Sequence, residues 1–152
     1  MYDSLLIARY IMAKCNELKE GNSDYEYSNT KIQKLLYVLY GFYLAEKGRR
    51  LTDEQPRLWP YGPVFVDVFN DISENGFYLK NTKEERFIDL PKEERKNFDE
   101  SIEIFGTLKA SKLSAWSHEE GSPWARTKKE FGEAWNIPLK DHYIEEYFKK
   151  RL

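Results

Sequence analysis

"TKIQKLLYVLYGFYLAEKG", residues 30–48, is the stretch of this 152-residue sequence that decides the fold. Its apolar residues recur every three or four positions and cover so much of the circumference that the predicted helix should be central and contacted on several sides. Thr30 and Gln33 stand in the capping-box arrangement at its start, and Gly48 is placed to end it. Gly41 inside the helix costs about 1 kcal/mol relative to alanine, which indicates that another backbone passes close by.

Helical patterns flank this segment on both sides. Residues 3–19 place Cys15 on an apolar stripe, so this cysteine is interpreted as a small buried core residue. Further helices are predicted at 63–75, 91–106, 111–118, 123–135 and from about 138 to the C-terminus. The mixed-charge run from 80 to 100 is interpreted as a solvated loop followed by a helix surface. The predicted fold is mainly α: a single compact multi-helix domain over residues 1–152, with one or two short β-strands.

The segment LWPYGPVF, residues 58–65, cannot lie inside a regular helix, because proline fixes φ and lacks a donor while glycine admits positive φ. Residues 57–59 are predicted as a short edge strand. Pro63 is predicted as the first residue of the next helix, where its missing N–H does no harm. The segment could be a ligand loop, but we interpret it as a turn that sets a helix against the core, with Trp59 and Pro63 holding the fold.

Composition and charge limit the classes of function. Hydrophobic residues make up 41% and aromatic residues 16% of the chain, which is too rich in core-forming side chains for a disordered protein. With 24 Lys+Arg against 26 Asp+Glu, the net charge of -2 gives no overall basic field, so nucleic acid is not favoured as a partner. No signal peptide or membrane span is recognised, and a single cysteine fits a reducing compartment. We expect a cytoplasmic protein with no membrane partner.

The sequence predicts no catalytic residue, cofactor or metal. Cys15, His118 and His142 lack the paired spacing of zinc ligands, and HEEGS at 118–122 is not HExxH. A nucleophile pair of Cys15 and His118 could form in space, but the place of Cys15 on an apolar stripe favours a core role. There is neither a GxxxxGK[ST] nor a GxGxxG loop for phosphate. Ser122 and Pro123 are predicted as the N-cap and first residue of a helix.

Three stretches, taken in their order and spacing, carry a family resemblance: KIQKLLYVLYGFYL at 31–44, LWPYGPVF at 58–65 and KLSAWSHEEGSPW at 112–124. Together they resemble the Panacea domain, an antitoxin family that includes SocA-like proteins and phage-associated GepA-like proteins. Ser117 departs from the pattern, since threonine is more usual there, although both carry the hydroxyl. The residues that match the family's motifs and are candidates for binding are Gln33, Lys34, Tyr37, Trp59, Gly62, Pro63, His118, Ser122, Pro123 and Trp124. Ile32, Leu35, Leu36, Val64 and Leu113 also match the motifs.

The resemblance implies an antitoxin of a toxin-antitoxin system that neutralises a cognate protein toxin by direct binding, without being an enzyme. It also implies an alternative, a proteolytic adaptor that delivers a toxin or another protein to a AAA+ protease. A third reading is an enzyme of unknown chemistry using His118 and nearby acids. Because the motifs are apolar and rich in glycine and proline, they favour a role in the fold over toxin contact, with Lys34 and His118 as polar exceptions. Aromatic residues at the surface would serve a partner or a homo-oligomer equally well.

Overall fold

The structure is a computed structural model that describes residues 1–22, 24–76 and 90–152. These residues form a mainly α fold with a two-stranded antiparallel sheet, as predicted. The predicted charged loop of residues 80–89 lies outside the described residues. In chain order the elements are α1 Ser4–Lys19, α2 Asn29–Lys47, β1 Arg57–Trp59, β2 Gly62–Val64, α3 Val66–Asn75, α4 Lys92–Phe105, α5 Ala110–Ser117, α6 Pro123–Phe131 and α7 Asp141–Lys149.

Helix α2 lies at the centre of the fold. It packs against α1, α3, α4, α5, α7 and β2, and buried residues follow one another along most of its length. Gly48 ends the helix in the left-handed conformation at φ 69°, and its N–H bonds to the Leu44 carbonyl. The all-round apolar pattern therefore predicted the central position of this helix correctly, and Gly48 predicted its C-terminus. Cys15 of α1 is fully buried in the same core, as predicted.

The N-terminus of α2 differs from the prediction. The N-cap residue is Ser28, whose hydroxyl accepts a hydrogen bond from the N–H of Lys31 at 3.1 Å. The predicted capping box of Thr30 and Gln33 is wrong because Gln33 is buried in the helix, where its amide binds the backbone of Phe65 instead of the N-terminus of α2.

Gly41 lies where α2 meets α7. A β-carbon at this position would lie 2.2–2.4 Å from three ring atoms of Phe148. The close neighbour is therefore an aromatic ring, and the prediction of a passing backbone is wrong. The Phe148 ring also packs edge-on against Tyr37 and Phe42, with ring centroids 5.5 and 4.9 Å apart.

We expect Gly41→Ala to lower the free energy of unfolding by about 2 kcal/mol, because overpacking against a buried ring outweighs the gain in helix propensity. Urea denaturation followed by circular dichroism measures the loss. Adding Phe148→Leu should then cost less in the Gly41→Ala background than it costs alone. Strictly additive effects of the two changes would contradict the contact.

The strands also correct one helix boundary. Pro63 lies in β2, opposite Leu58 of β1, and α3 begins only at Val66. The prediction that Pro63 opens a helix is wrong because residues 62–64 pair with the strand at 57–59. Proline lacks the N–H donor of a central strand and is tolerated at a sheet edge.

Residues 132–140 provide a second neighbour for β1. Helix α6 ends at Phe131 instead of Trp135, and α7 begins three residues later than predicted. The residues between them run along β1: the N–H of Leu58 donates to the Ile137 carbonyl, and the N–H of Asn136 donates to the Leu58 carbonyl, both at 2.8 Å. The predicted strand 57–59 is confirmed, but it is paired on both sides.

Candidate functional site at the hairpin

The β1–β2 hairpin turns the chain within two residues. Trp59 pairs with Gly62, which leaves Pro60 and Tyr61 as the turn. Gly62 has a φ of 117°, a conformation that residues with a β-carbon rarely adopt. The backbone carbonyls of Trp59, Tyr61 and Pro63 then accept hydrogen bonds from side chains of three helices, so the hairpin is fixed from outside.

Two residues of the first motif, residues 31–44, form hydrogen bonds with the backbone of β2 and of Phe65, the residue that follows β2. The Nζ of Lys34 donates to the Pro63 carbonyl at 2.9 Å. The Gln33 amide forms a pair of hydrogen bonds with Phe65, accepting from its N–H at 2.7 Å and donating to its carbonyl at 3.3 Å. Two successive residues of α2 thus bind the backbone directly after the turn.

Two residues of the third motif, residues 112–124, form hydrogen bonds with the backbone of the turn and of β1. The hydroxyl of Ser114 donates to the Tyr61 carbonyl at 2.5 Å, and the indole Nε1 of Trp124 donates to the Trp59 carbonyl at 2.8 Å. Ser122 caps α6 by accepting from the N–H of Ala125. We call Gln33, Lys34, Ser114 and Trp124, with the backbone of residues 59–65 that they bind, the hairpin network.

Gly62 lies against the hairpin network at close range. A β-carbon here would lie 2.3 Å from the Ser117 hydroxyl oxygen and 3.1–3.2 Å from the Cε and Nζ of Lys34. The absence of a side chain lets α2 and α5 approach the same point of the turn. Ser117 itself is buried and donates to the Ser114 carbonyl at 2.8 Å.

Lys34 is the unusual chemical group of this site. It is 1% exposed, and burial lowers the pKa of its ammonium to about 7. Desolvation disfavours the charged form, and the neutral carbonyl of Pro63 does not compensate for it as a carboxylate would. A neutral amine can still donate the same hydrogen bond, so Lys34 is suited to hold the backbone and not to bind an anion.

Trp59 connects the hairpin to its surroundings on two sides. Its indole Nε1 donates to the Asn136 Oδ1 at 2.9 Å, and its ring packs edge-on against Phe69 with centroids 5.0 Å apart. These contacts agree with the structural role predicted for Trp59 from the sequence. That role stays a prediction.

Tyr37 and His118 are motif residues that lie outside the hairpin network. Tyr37 is buried in the core against Phe148, and burial raises the pKa of its phenol well above the usual value. His118 is the C-cap residue of α5, and its ring packs edge-on against Trp124 with centroids 5.4 Å apart. Its buried Nδ1 has no hydrogen-bond partner among the residues that the structure describes.

The structure also bears on the other chemical candidates. Burial raises the pKa of the Cys15 thiol, which makes it a poor nucleophile. In the described parts of the chain, no three His, Cys, Asp or Glu side chains are grouped so that they could hold a metal ion. Among the helices of residues 1–22, 24–76 and 90–152, none has both the length and the apolar character needed to cross a membrane.

Comparison with known proteins connects this geometry to a family. The family described as "Antitoxin SocA-like, Panacea domain" matches residues 32–125, which include all four side chains of the hairpin network. The chain belongs to this family. It is 31% identical over 135 residues to "Antitoxin SocA" of Caulobacter vibrioides (strain NA1000 / CB15N), with 80% of this chain and 68% of the relative covered. No solved structure matches the chain significantly. The resemblance drawn from the three motifs is confirmed.

Membership in the Panacea family supports an antitoxin role for the chain and favours a function other than catalysis. Within the family motifs, the polar atoms of Gln33, Lys34 and Trp124 bind the backbone of the chain itself. These three side chains of the motifs therefore contact the hairpin through its backbone.

Two residues of the site, and a second buried lysine elsewhere on α2, were not predicted from the sequence. Ser114 and Asn136 bind the hairpin and were not singled out. Lys31 is buried like Lys34; its Nζ donates to the Gly106 carbonyl at 2.7 Å and lies 4.3 Å from the centre of the Tyr25 ring. The sequence did contain a signal for Lys31, because it lies three residues from Lys34 on a helix that was predicted to be buried on several sides.

Proposed function

We propose that this chain is a non-enzymatic antitoxin that neutralises a cognate protein toxin by binding it directly. The observation that carries the proposal is the family match over residues 32–125. The proposed binding unit is a single domain over residues 1–152 that acts in the cytoplasm. Its partner is the toxin encoded beside it.

The hairpin network supports a binding role over a catalytic one. Its polar side chains are each hydrogen-bonded to backbone, and Lys34 is enclosed by the protein. A catalytic group must be able to reach a substrate atom, whereas a binding module needs a surface of fixed shape. The network fixes the shape of one hairpin.

Co-expression tests the proposal. Each protein encoded next to this chain is expressed alone and together with it, and growth is followed. We expect one neighbouring product to arrest growth alone and to be relieved by this chain, and the two to co-purify as a stoichiometric complex. If none is toxic, or if none is relieved, the proposal is wrong.

A protease deletion separates direct inhibition from the adaptor mechanism. Rescue by direct binding persists in a host lacking the AAA+ protease, and toxin levels stay unchanged. Rescue through an adaptor is lost in that host, where the toxin accumulates. A purified toxin whose activity falls to zero at one equivalent of this chain, without protease, would support direct binding further.

A substitution at His118 addresses the enzymatic alternative. We expect His118→Ala to keep neutralisation, because the ring packs against Trp124 at the end of α5. Loss of neutralisation in a variant that still binds the toxin with the wild-type Kd would favour the enzyme instead.

A further inference from the structure

The turn of the hairpin carries an exposed aromatic side chain that contributes little to the core. Tyr61 is 76% exposed. Its backbone carbonyl is nevertheless bound by Ser114, and the carbonyls on either side, of Trp59 and Pro63, are bound by Trp124 and Lys34. Three buried or half-buried side chains thus fix a turn whose own side chain points to solvent.

A second exposed aromatic residue follows the segment that pairs with the hairpin. Residues 136–139 run antiparallel to β1 with Arg57 opposite Pro138, and Asn136, directly after Trp135, accepts a hydrogen bond from the indole of Trp59. Trp135 is 45% exposed, and its ring centroid lies 6.3 Å from that of the half-buried Trp124. We call Pro60, Tyr61, Trp124 and Trp135 the aromatic tip.

The elements that carry the aromatic tip are positively charged although the whole chain has a net charge of -2. Arg126 is set aside because it bonds Glu146 of α7. The acids of the α5–α6 turn, Glu119 and Glu120, line a separate groove with Tyr147. Arg57 lines a groove with the acids Asp53, Glu54 and Asp67, and Lys140 pairs with Glu130 at 2.6 Å. The charged residues that remain on α5, α6 and residues 132–140 are the cations Lys112, Lys128 and Lys129 and the acid Glu133.

One of these cations is in direct contact with the tip. The Nζ of Lys128 lies 4.2 Å from the centre of the Trp135 ring. Lys112 and Lys129 are exposed on the neighbouring helices α5 and α6. Opposite charges across an interface raise the association rate and exclude wrong partners, so the surface that meets this tip should be acidic.

We propose that the aromatic tip is the surface that docks the toxin, and that it fits an apolar pocket bordered by acidic side chains. This inference rests on the proposed function. Exposed Tyr and Trp side chains are the residue types that carry most of the free energy at interfaces. Because the hairpin network holds Tyr61 in place before binding, docking orders little new structure. The motifs of the family then act in toxin binding indirectly, by positioning residues that are themselves exposed.

Binding of the toxin found by the rescue experiment tests the proposal, with purified proteins and isothermal titration calorimetry. We expect Tyr61→Ser and Trp135→Ser each to raise the Kd at least about tenfold, and the double variant more. Ile104→Ser is the matched control, since Ile104 is an exposed apolar residue of α4, 65% exposed. It should change the Kd less than about twofold. All three single variants should keep the urea midpoint of the wild type.

The charge of the partner is tested by reversal. Lys129→Glu should raise the Kd about tenfold and Lys129→Gln only slightly, and the wild-type Kd should increase with salt. Lys96→Glu, at an exposed position of α4, is the control and should have little effect. A Kd that is unchanged or lower for Lys129→Glu would overturn the acidic surface.

The outcomes distinguish the two proposals. If the wild type binds the toxin and Tyr61→Ser binds it equally well, the docking surface is wrong and the antitoxin function stands. If the wild type rescues no neighbouring product, both are wrong. Loss in Tyr61→Ser of a wild-type dimer seen by sedimentation would assign the tip to self-association. Loss in Tyr61→Ser of wild-type binding to a single-stranded oligonucleotide would assign it to nucleic acid. Either result would overturn toxin docking.

Discussion

Replacing Gly62 with alanine is expected to lower the free energy of unfolding by about 4 kcal/mol, as the sum of backbone strain and overpacking. The backbone there has a φ of 117°, which strains a residue that carries a β-carbon. The new methyl group would also lie 2.3 Å from the Ser117 hydroxyl oxygen. Urea denaturation with an intrinsic tryptophan signal measures the loss, because Trp59 and Trp124 both adjoin the turn.

Two comparison variants separate these causes. Gly121 also has a positive φ, 84°, but nothing lies within 4 Å of a β-carbon built there, so Gly121→Ala should cost only about 1 kcal/mol. Ser117→Ala should recover part of the loss in the Gly62→Ala background, because it removes the closest atom. Equal losses at Gly62 and Gly121 would show that the hairpin and α5 do not pack at this distance.

The sequence predicted those parts of the fold that depend on local pattern. The apolar repeat of α2 indicated its central place, and Gly48 and Ser122 were assigned correctly as terminal residues. Each of these features depends on residues within one or two helical turns. Hydrophobic spacing and capping chemistry are sufficient there, because the partners are neighbours along the chain.

The predictions of helix boundaries and caps failed where residues outside the predicted helix determine the local structure. Pro63 has the chemistry of a first helical residue, but strand pairing with Leu58 places it in β2. Gln33 has the spacing of a capping box, but Phe65 offers its amide two backbone partners. The residues up to Trp135 continue a helical pattern, yet the chain leaves the helix to pair with β1. For Gln33 and for the residues up to Trp135, a contact across tens of residues outweighs a local preference, and for Pro63 a strand partner five residues away does so.

The candidate site was predicted as a set of residues but not as an arrangement. The three motifs named Lys34, Gly62 and Trp124, and the structure places all three around one hairpin. That Lys34 and Trp124 bind backbone carbonyls could not be predicted from the sequence, because a backbone acceptor places no requirement on the type of residue that carries it. The exposed residue Tyr61 lies within the second motif and Trp135 lies eleven residues beyond the third, and neither gave a separate signal.

Lys34→Met is expected to remove a pH dependence of stability that the wild type shows above neutral pH. The pKa of Lys34 is about 7 in the folded chain, against the ordinary value of 10.5 expected when unfolded. Below pH 7 both states are protonated, and the buried ammonium lowers the free energy of unfolding by about 5 kcal/mol relative to a neutral amine. Between the two pKa values only the unfolded chain binds the proton. Stability therefore rises with pH in this window, by about 1.4 kcal/mol per unit.

Urea denaturation at pH 7, 8 and 9 measures this slope, below the range in which tyrosines ionise. From pH 7 to 9 the wild type should gain about 2–3 kcal/mol that Lys34→Met does not gain. Methionine also leaves the Pro63 carbonyl without its donor, which lowers the free energy of unfolding by about 1–3 kcal/mol. This loss is the same at every pH, so it does not change the slope of stability against pH. Lys47→Met, at an exposed position of α2, should keep the wild-type slope. Parallel curves for the wild type and Lys34→Met would contradict the desolvated lysine.

Lys34→Arg shows which property of the lysine the hairpin requires. Arginine keeps the charge and the donors but cannot lose its proton in this pH range. If the fold requires a neutral donor for the Pro63 carbonyl, Lys34→Arg should be less stable than the wild type by an amount that grows from pH 7 to 9. If the fold requires the charge, the difference in the free energy of unfolding between the wild type and Lys34→Arg should not change with pH. In that case the hairpin network would have to contain a compensating anion. The pKa of Lys34 is lowered by burial alone, so we expect the difference to grow.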